Sequence, residues 1–349
     1  MPIIDPLKVK RILVTRTDRI GDVVLSTPVF SAIKTRYPSC YLAALVLKET
    51  EPIVSGNPWV NRVVVYDKKG KDHSWRQTVK FGFSLRRERF DLVIHLHPTN
   101  RVHMISWLAG IPVRIGYRRK NHFLLTHALQ ELKQEGKKHE AEYNFDLLAL
   151  IDVPMPDPLE LYFPLNTKDR DALEAVLPRY FDGRYVVFHP SASCISKRWP
   201  PERLARVADE IVRRYRIFPV LIGEGPGISH AVQMQEFMRT KPLNLAGKLS
   251  LGMLGWLLKG ARLLISNDSG PVHVAAALGT PVISIFGRNQ PGLSARRWRP
   301  ISKNSSFLQK DVGCTECLAH LCQIDFKCLK ELRVEEVLEE ANRYESFLV

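Results

Sequence analysis

Asp268, Ser269, Gly270 and His273 fall within the run Ser266-Asn267-Asp268-Ser269-Gly270-Pro271-Val272-His273. A carboxylate, a hydroxyl and a flexible glycine at this spacing sit at the positive end of a helix and suit an anion site, with Pro271 fitting the first turn; His273 reads either as a ligand-facing residue of that turn or as a satisfied buried histidine. The apolar residues Leu263-Leu264-Ile265 lead in, and Val274-Ala275-Ala276-Ala277-Leu278 lead out, which reads as strand, tight turn, helix. A second strand, Pro281 to Phe286, ends in the turn Gly287-Arg288-Asn289-Gln290-Pro291-Gly292. Open parallel sheets bind phosphorylated ligands at such strand ends, so the run points to a nucleotide-linked anion.

Three earlier turns carry further chemistry. His189-Pro190-Ser191-Ala192-Ser193 follows a strand and leads to Lys197-Arg198-Trp199-Pro200. Small hydroxyls and a lysine before a helix start form a pyrophosphate grip, with Trp199 read as a packing residue. Gly223-Glu224-Gly225-Pro226-Gly227 admits a ribose or phosphate near the backbone, with Glu224 on its hydroxyls; it equally fits a plain β-turn. Thr15-Arg16-Thr17-Asp18-Arg19-Ile20-Gly21-Asp22 stands where a dinucleotide fold carries G-x-G-x-x-G, but its single glycine and two carboxylates argue against NAD or FAD there. Asp22 reads either as a first-turn helix residue or as a general base at a strand end. His95 and His97 alternate on an expected strand, yet lack the carboxylate partner of a metal pair. Arg114-Ile115-Gly116-Tyr117-Arg118-Arg119-Lys120, expected after a strand, offers cations to phosphates or carboxylates.

The chain of 349 residues exceeds a single comfortable core, so two domains are expected. Its 45% hydrophobic and 25% charged content is that of a soluble globular protein. No apolar run is long enough to span a bilayer. The segment Met1-Pro2-Ile3-Ile4-Asp5-Pro6 lacks the basic-then-apolar pattern of a signal peptide, so the expected compartment is the cytoplasm. Net charge is +15, and Val60 to His122 alone holds 14 Lys and Arg against 4 Asp and Glu. Such a field draws nucleic acid, anionic lipid or a polyanionic substrate, or else solvates helix faces. No zinc-finger spacing, RNP-like sequence or basic zipper is present, so nucleic acid is not an expected partner. Cys40 and Cys194 are isolated, whereas Cys314-x2-Cys317-x4-Cys322-x5-Cys328 is a cluster. Its irregular spacing differs from a two-plus-two zinc arrangement, and packed or redox-sensitive thiols are the preferred reading over a metal.

Stepping β-rich runs alternate with amphipathic helices. Arg11–Val14, Tyr41–Leu47, Val63–Tyr66 and Asp91–Leu96 are expected strands, Val23–Tyr37 and His139–Ile151 expected helices. Val153-Pro154-Met155-Pro156-Asp157-Pro158 suits neither and marks a link. The alternation restarts with strand Tyr185–Phe188, helix Pro201–Tyr215 and strand Pro219–Gly223. Two doubly wound α/β domains facing a cleft are expected, over residues 1–158 and 159–332, with a terminal helix in 333–349 packing back on the first.

The order of these motifs resembles the ADP-heptose:lipopolysaccharide heptosyltransferases, glycosyltransferase family 9, over most of the chain. The likeness is carried by Arg16-x-Asp18-x-Ile20-Gly21-Asp22, Lys197-x-Trp199-Pro200 and Asn267-Asp268-Ser269-Gly270-Pro271-x-His273-x-Ala275-Ala276, and the late cysteine cluster is similar too. The resemblance implies a GT-B fold of two Rossmann-like domains, the first for the acceptor and the second for the sugar nucleotide. It implies inverting heptose transfer from ADP-heptose to the lipopolysaccharide inner core, with no metal or other cofactor required. Asp22 matches the general base and Lys197 the lysine on the donor's phosphates. Asp268 matches the residue on sugar hydroxyls, and Ser269, Gly270 and His273 the diphosphate lining. Ser193 stands where threonine is common, and Glu224 lies near the ribose-binding acid. Gln290 departs from the usual residue and leaves donor choice open. Asp18, Arg118, Arg119 and Lys120 are the expected acceptor contacts, since the lipid A core is rich in phosphates and carboxylates. Peripheral attachment to the cytoplasmic face of the inner membrane follows as an expectation. The alternatives are a related transferase using another nucleotide sugar and a non-catalytic sugar-nucleotide-binding protein.

Overall fold

The structure is a computed structural model that describes residues 9–178, 183–314 and 316–349. The segment Met1–Pro6, read above for a leader, lies outside them. Among the described residues, no helix is long and apolar enough to cross a membrane.

The chain forms two α/β units, one of residues 1–134 and 140–164, the other of residues 135–139 and 165–349. The first holds β1 (Arg11–Arg16), β2 (Tyr41–Leu47), β3 (Arg62–Tyr66), β4 (Leu92–His95), β5 (Val113–Tyr117) and β6 (His127–Leu129). These pair in parallel in the order β3-β2-β1-β4-β5-β6. The second holds β7 (Tyr185–His189), β8 (Phe218–Leu221), β9 (Leu243–Asn244), β10 (Leu263–Asn267), β11 (Val282–Phe286) and β12 (Ser305–Gln309). Their order, β12-β11-β10-β7-β8-β9, is the same doubly wound arrangement, again with parallel pairing throughout. The central strands read as unbroken apolar runs because helices cover both faces; Ile12 to Arg16 and all of β7 and β10 are buried.

Reversal of strand order makes a crevice beside β1 and β4 in the first sheet, and beside β7 and β10 in the second. The Asp22 turn follows β1, and the Asp268 turn follows β10. Each of the two motif clusters therefore opens at its own sheet's switch point.

Several boundaries differ from the sequence reading. The expected helix Val23–Tyr37 is two helices, Ile20–Val24 and Thr27–Arg36, because Pro28 enters at the start of the second. The proline segment belongs with the first unit up to Pro164: Tyr162 N–H donates to Thr27 Oγ1 at 2.9 Å and its ring meets Trp59 edge-on. Residues 135–139 belong to the second unit, where His139 Nε2 lies 2.8 Å from the Arg299 carbonyl. The terminal helix was expected on the first domain. Its Val337, Leu338 and Ala341 instead join Trp199, Leu204 and Ile211 in the core of the second unit.

Candidate functional site

In the first unit the turn after β1 is organised by Arg16, a buried arginine. Its Nε lies 2.9 Å from Asp18 Oδ1 and its Nη2 2.8 Å from Asp22 Oδ1. Both terminal nitrogens reach Glu140 Oε1 at 3.1 Å, and Lys133 Nζ approaches the same oxygen at 2.7 Å. Asp22 sits in the first turn of helix Ile20–Val24, whose N-cap residue Arg19 makes no side-chain capping bond; its Oδ1 accepts from Arg16. Burial pushes the Asp18 carboxyl up to about 8, with Asp22 and Glu140 adding to the shift and Arg16 opposing it.

His97 Nδ1 is 3.6 Å from Asp18 Oδ2, yet burial, Arg16 and Lys133 hold the imidazole down to about 3, so the contact is not a charged pair at neutral pH. His95 and His97 do not share a strand, since β4 ends at His95. His95 uses both ring nitrogens within the core, 2.9 Å from Thr15 Oγ1 and 3.0 Å from Ser106 Oγ. Arg114–Tyr117 is not a loop after a strand but most of β5. The Arg114 guanidinium serves the Leu124 and Ile111 carbonyls. Arg118, Arg119 and Lys120 do stand exposed past the strand, with Arg119 Nη1 3.3 Å from Glu131 Oε1. Part of the basic excess is thus structural: Arg86 and Arg101 likewise donate to the carbonyls of Leu108 and His73.

In the second unit Asn267, wholly buried at the end of β10, fastens two loops together. Its Nδ2 donates to the Pro190 carbonyl at 2.7 Å, and its Oδ1 accepts from Trp199 N–H at 3.0 Å. Lys197, on the short turn Ile195–Lys197, is thereby brought to Asp268, with Nζ 2.6 Å from Oδ2. Arg288 Nη2 faces the same oxygen at 3.7 Å. Neither approach has hydrogen-bond direction, so Oδ2 is ion-paired while accepting no directed bond.

Ser269 is the N-cap residue of helix Gly270–Ala277, but its hydroxyl makes no capping bond and lies 2.9 Å from His189 Nδ1. The first N–H groups of that helix are left without a side-chain cap. His273, one turn in, is buried and held down to about 3 by burial, His139 and Lys197. Burial and His230 lower His189 to about 4, so both rings are neutral at pH 7. Ser193 and Glu224 are exposed on the loops after β7 and β8. The structure thus gathers Lys197, Asp268, Ser269, Gly270 and His273 at one switch point, with Ser193 and Glu224 at the same edge of the sheet. The roles of Arg16, Glu140, Asn267 and Arg288 were not read from sequence; Arg16 and Asn267 stood there as motif residues and Arg288 as a cation in a strand-end turn, while Glu140 left no trace.

Cys314, Cys317, Cys322 and Cys328 are free thiols lining one cavity of about 260 Å³ together with Arg288 and Lys310. Burial pushes the Cys328 thiol up to about 11, away from the thiolate. Among the described residues no group of three or more His, Cys, Asp or Glu is placed to hold a metal ion.

Comparison with known proteins places this geometry. The sequence profile of Glycosyltransferase family 9 (heptosyltransferase) matches residues 78–327. Lipopolysaccharide heptosyltransferase 3 of Escherichia coli strain K12 is 30% identical over 299 residues, spanning 81% of this chain and 83% of that relative. Among solved structures, the glycosyl transferase family 9 protein from Veillonella parvula DSM 2008 superposes with a TM-score of 0.83 at 24% identity, covering 97% of each chain. The E. coli ADP-heptose lps heptosyltransferase II superposes with a TM-score of 0.77 at 23% identity, covering 96% of this chain and 98% of that one. These likenesses carry the GT-B architecture.

Proposed function

The chain belongs to glycosyltransferase family 9, and from that premise we propose that it transfers heptose from ADP-heptose, with inversion, to the inner core of lipopolysaccharide. The observation that carries the reading is the Lys197–Asp268 pair, 2.6 Å apart beside an uncapped helix amino terminus. A lysine and helix N–H groups answer a diphosphate, and a carboxylate beside them answers sugar hydroxyls.

In this reading Asp22 accepts the proton of the acceptor hydroxyl. The freed oxygen bonds to the anomeric carbon opposite the leaving group, the bond from that carbon to the diphosphate oxygen breaks, and ADP departs. Lys197 and the Ser269–Gly270 backbone meet the charge growing on ADP. Ser193 and neutral His273 hold phosphate oxygens, Asp268 the heptose hydroxyls and Glu224 the ribose. In this reading the step is carried by side chains and helix N–H groups without a metal, and turnover is expected to survive EDTA. Arg118, Arg119 and Lys120 receive the acidic acceptor with Asp18. Phe123, 75% exposed just beyond those cations, pairs an apolar side chain with them, which supports peripheral contact with the cytoplasmic face of an anionic membrane.

The test is direct. Purified protein given ADP-heptose and a truncated lipopolysaccharide acceptor releases ADP in step with heptosylated product; release of neither ends the proposal.

A further inference from the structure

Arg288 stands immediately past β11, where Gly287 makes a close backbone approach. A Cβ at Gly287 would collide with the Ser196 carbonyl and lie 2.9 Å from Leu329 Cγ, so the turn fits against the Lys197 loop only with glycine. Gln309 Nε2 at the end of β12 donates to the Arg288 carbonyl, fixing the backbone from the other side. The guanidinium is therefore delivered into the second unit's switch point by built contacts. Arg288 is 7% exposed, and its Nε has no hydrogen-bond partner among the described residues.

The charge count at this point does not balance. Lys197 and Arg288 both face Asp268 Oδ2, at 2.6 and 3.7 Å, which leaves two cations on one carboxylate. A buried guanidinium with an unsatisfied N–H is costly unless an anion completes it. The uncapped amino terminus of Gly270–Ala277 adds positive potential at the turn that carries Asp268. Resting on the transferase reading, we propose that Arg288 is a second diphosphate-binding residue, taking the phosphate oxygens of the nucleotide sugar beside Lys197. Its planar fork suits two oxygens of one phosphoryl group, which a lysine reads only as a point charge.

Titration calorimetry with ADP, AMP and inorganic pyrophosphate on the whole chain tests this. Arg288→Gln weakens ADP and pyrophosphate binding by about ten-fold or more, while AMP binding changes by less than about three-fold. Arg288→Lys, which keeps the charge and loses the fork, falls between them and guards against a Gln variant that fails to fold. Unchanged ADP affinity in Arg288→Gln overturns the inference and leaves the transferase reading standing. Equal loss of ADP and AMP also overturns it, since Arg288 then only shapes the site. A wild-type chain that binds pyrophosphate through Arg288 but not ADP upholds the anion site and removes the ADP-heptose reading. Binding of neither removes both.

Discussion

Arg16 Nη2 lies 2.8 Å from Asp22 Oδ1, so the carboxylate proposed as base is aimed by a buried guanidinium and not by a helix cap. Charge-assisted contact of this kind fixes one oxygen and leaves the other free to take a proton. Asp22→Asn keeps the size and removes the basic oxygen. Turnover is expected to fall on the order of 100-fold or more, with the donor's Kd nearly unchanged. Steady-state kinetics with ADP calorimetry checks it; near-normal kcat assigns the base elsewhere.

Lys197→Ala acts on the other unit. Removing Nζ leaves Asp268 with Arg288 alone and takes one cation from the proposed diphosphate site, so ADP affinity and kcat are expected to fall together. Loss on the order of ten-fold in each is expected, and unchanged kinetics would take Lys197 out of the site.

How much of this was legible in the sequence depends on how local each contact is. The Asn267–His273 run announced itself because strand, turn and helix are contiguous, and helix Pro201–Tyr215 was read to its residue limits from its apolar stripe. Arg16 was visible only as one motif residue, since Glu140 lies 124 positions away. The fastening role of Asn267 was hidden for the same reason: its partners Pro190 and Trp199 come from a loop that folding alone brings near. Arg114 was misplaced because a strand of five residues on a basic background lacks the apolar run of a central strand.

Asp18 gives a pH signature. Burial raises its folded-state carboxyl to about 8, well above the unfolded value near 4. A raised acid favours folding fully below the unfolded value, and that contribution is lost as pH rises through about 8. The wild type is therefore expected to lose stability between about pH 4 and 8 relative to Asp18→Asn, whose amide cannot ionise. Melting temperatures of the two chains should converge at low pH and separate by a few degrees at pH 8, with the variant higher. Parallel curves across that range would show that Asp18 is ionised throughout.

Glu140 tests whether the Arg16 cluster is held by its buried end. Glu140 and Lys133 are both nearly sealed from solvent, whereas Asp18 and Asp22 each keep 14% side-chain exposure. The Glu140 carboxylate is thus the buried counter-charge for both Arg16 and Lys133, and Lys133 also lies 5.0 Å from the Tyr117 ring centre. Removing one member of a buried ionic group leaves the others uncompensated, at about 3–5 kcal/mol. Glu140→Ala is expected to lose stability on that scale. Glu140→Gln, which can still accept from Arg16, should lose less and fold well enough for kinetics. With the guanidinium less firmly anchored, Asp22 is aimed less well, so kcat is expected to fall in Glu140→Gln while the Kd for ADP, proposed to bind the other unit, holds. Chemical denaturation of both variants and single-turnover kinetics of Glu140→Gln separate the outcomes. Wild-type kcat in a destabilised Glu140→Gln chain would confine Glu140 to folding, and full stability in Glu140→Ala would mean that the cluster is held by Asp18 and Asp22 alone.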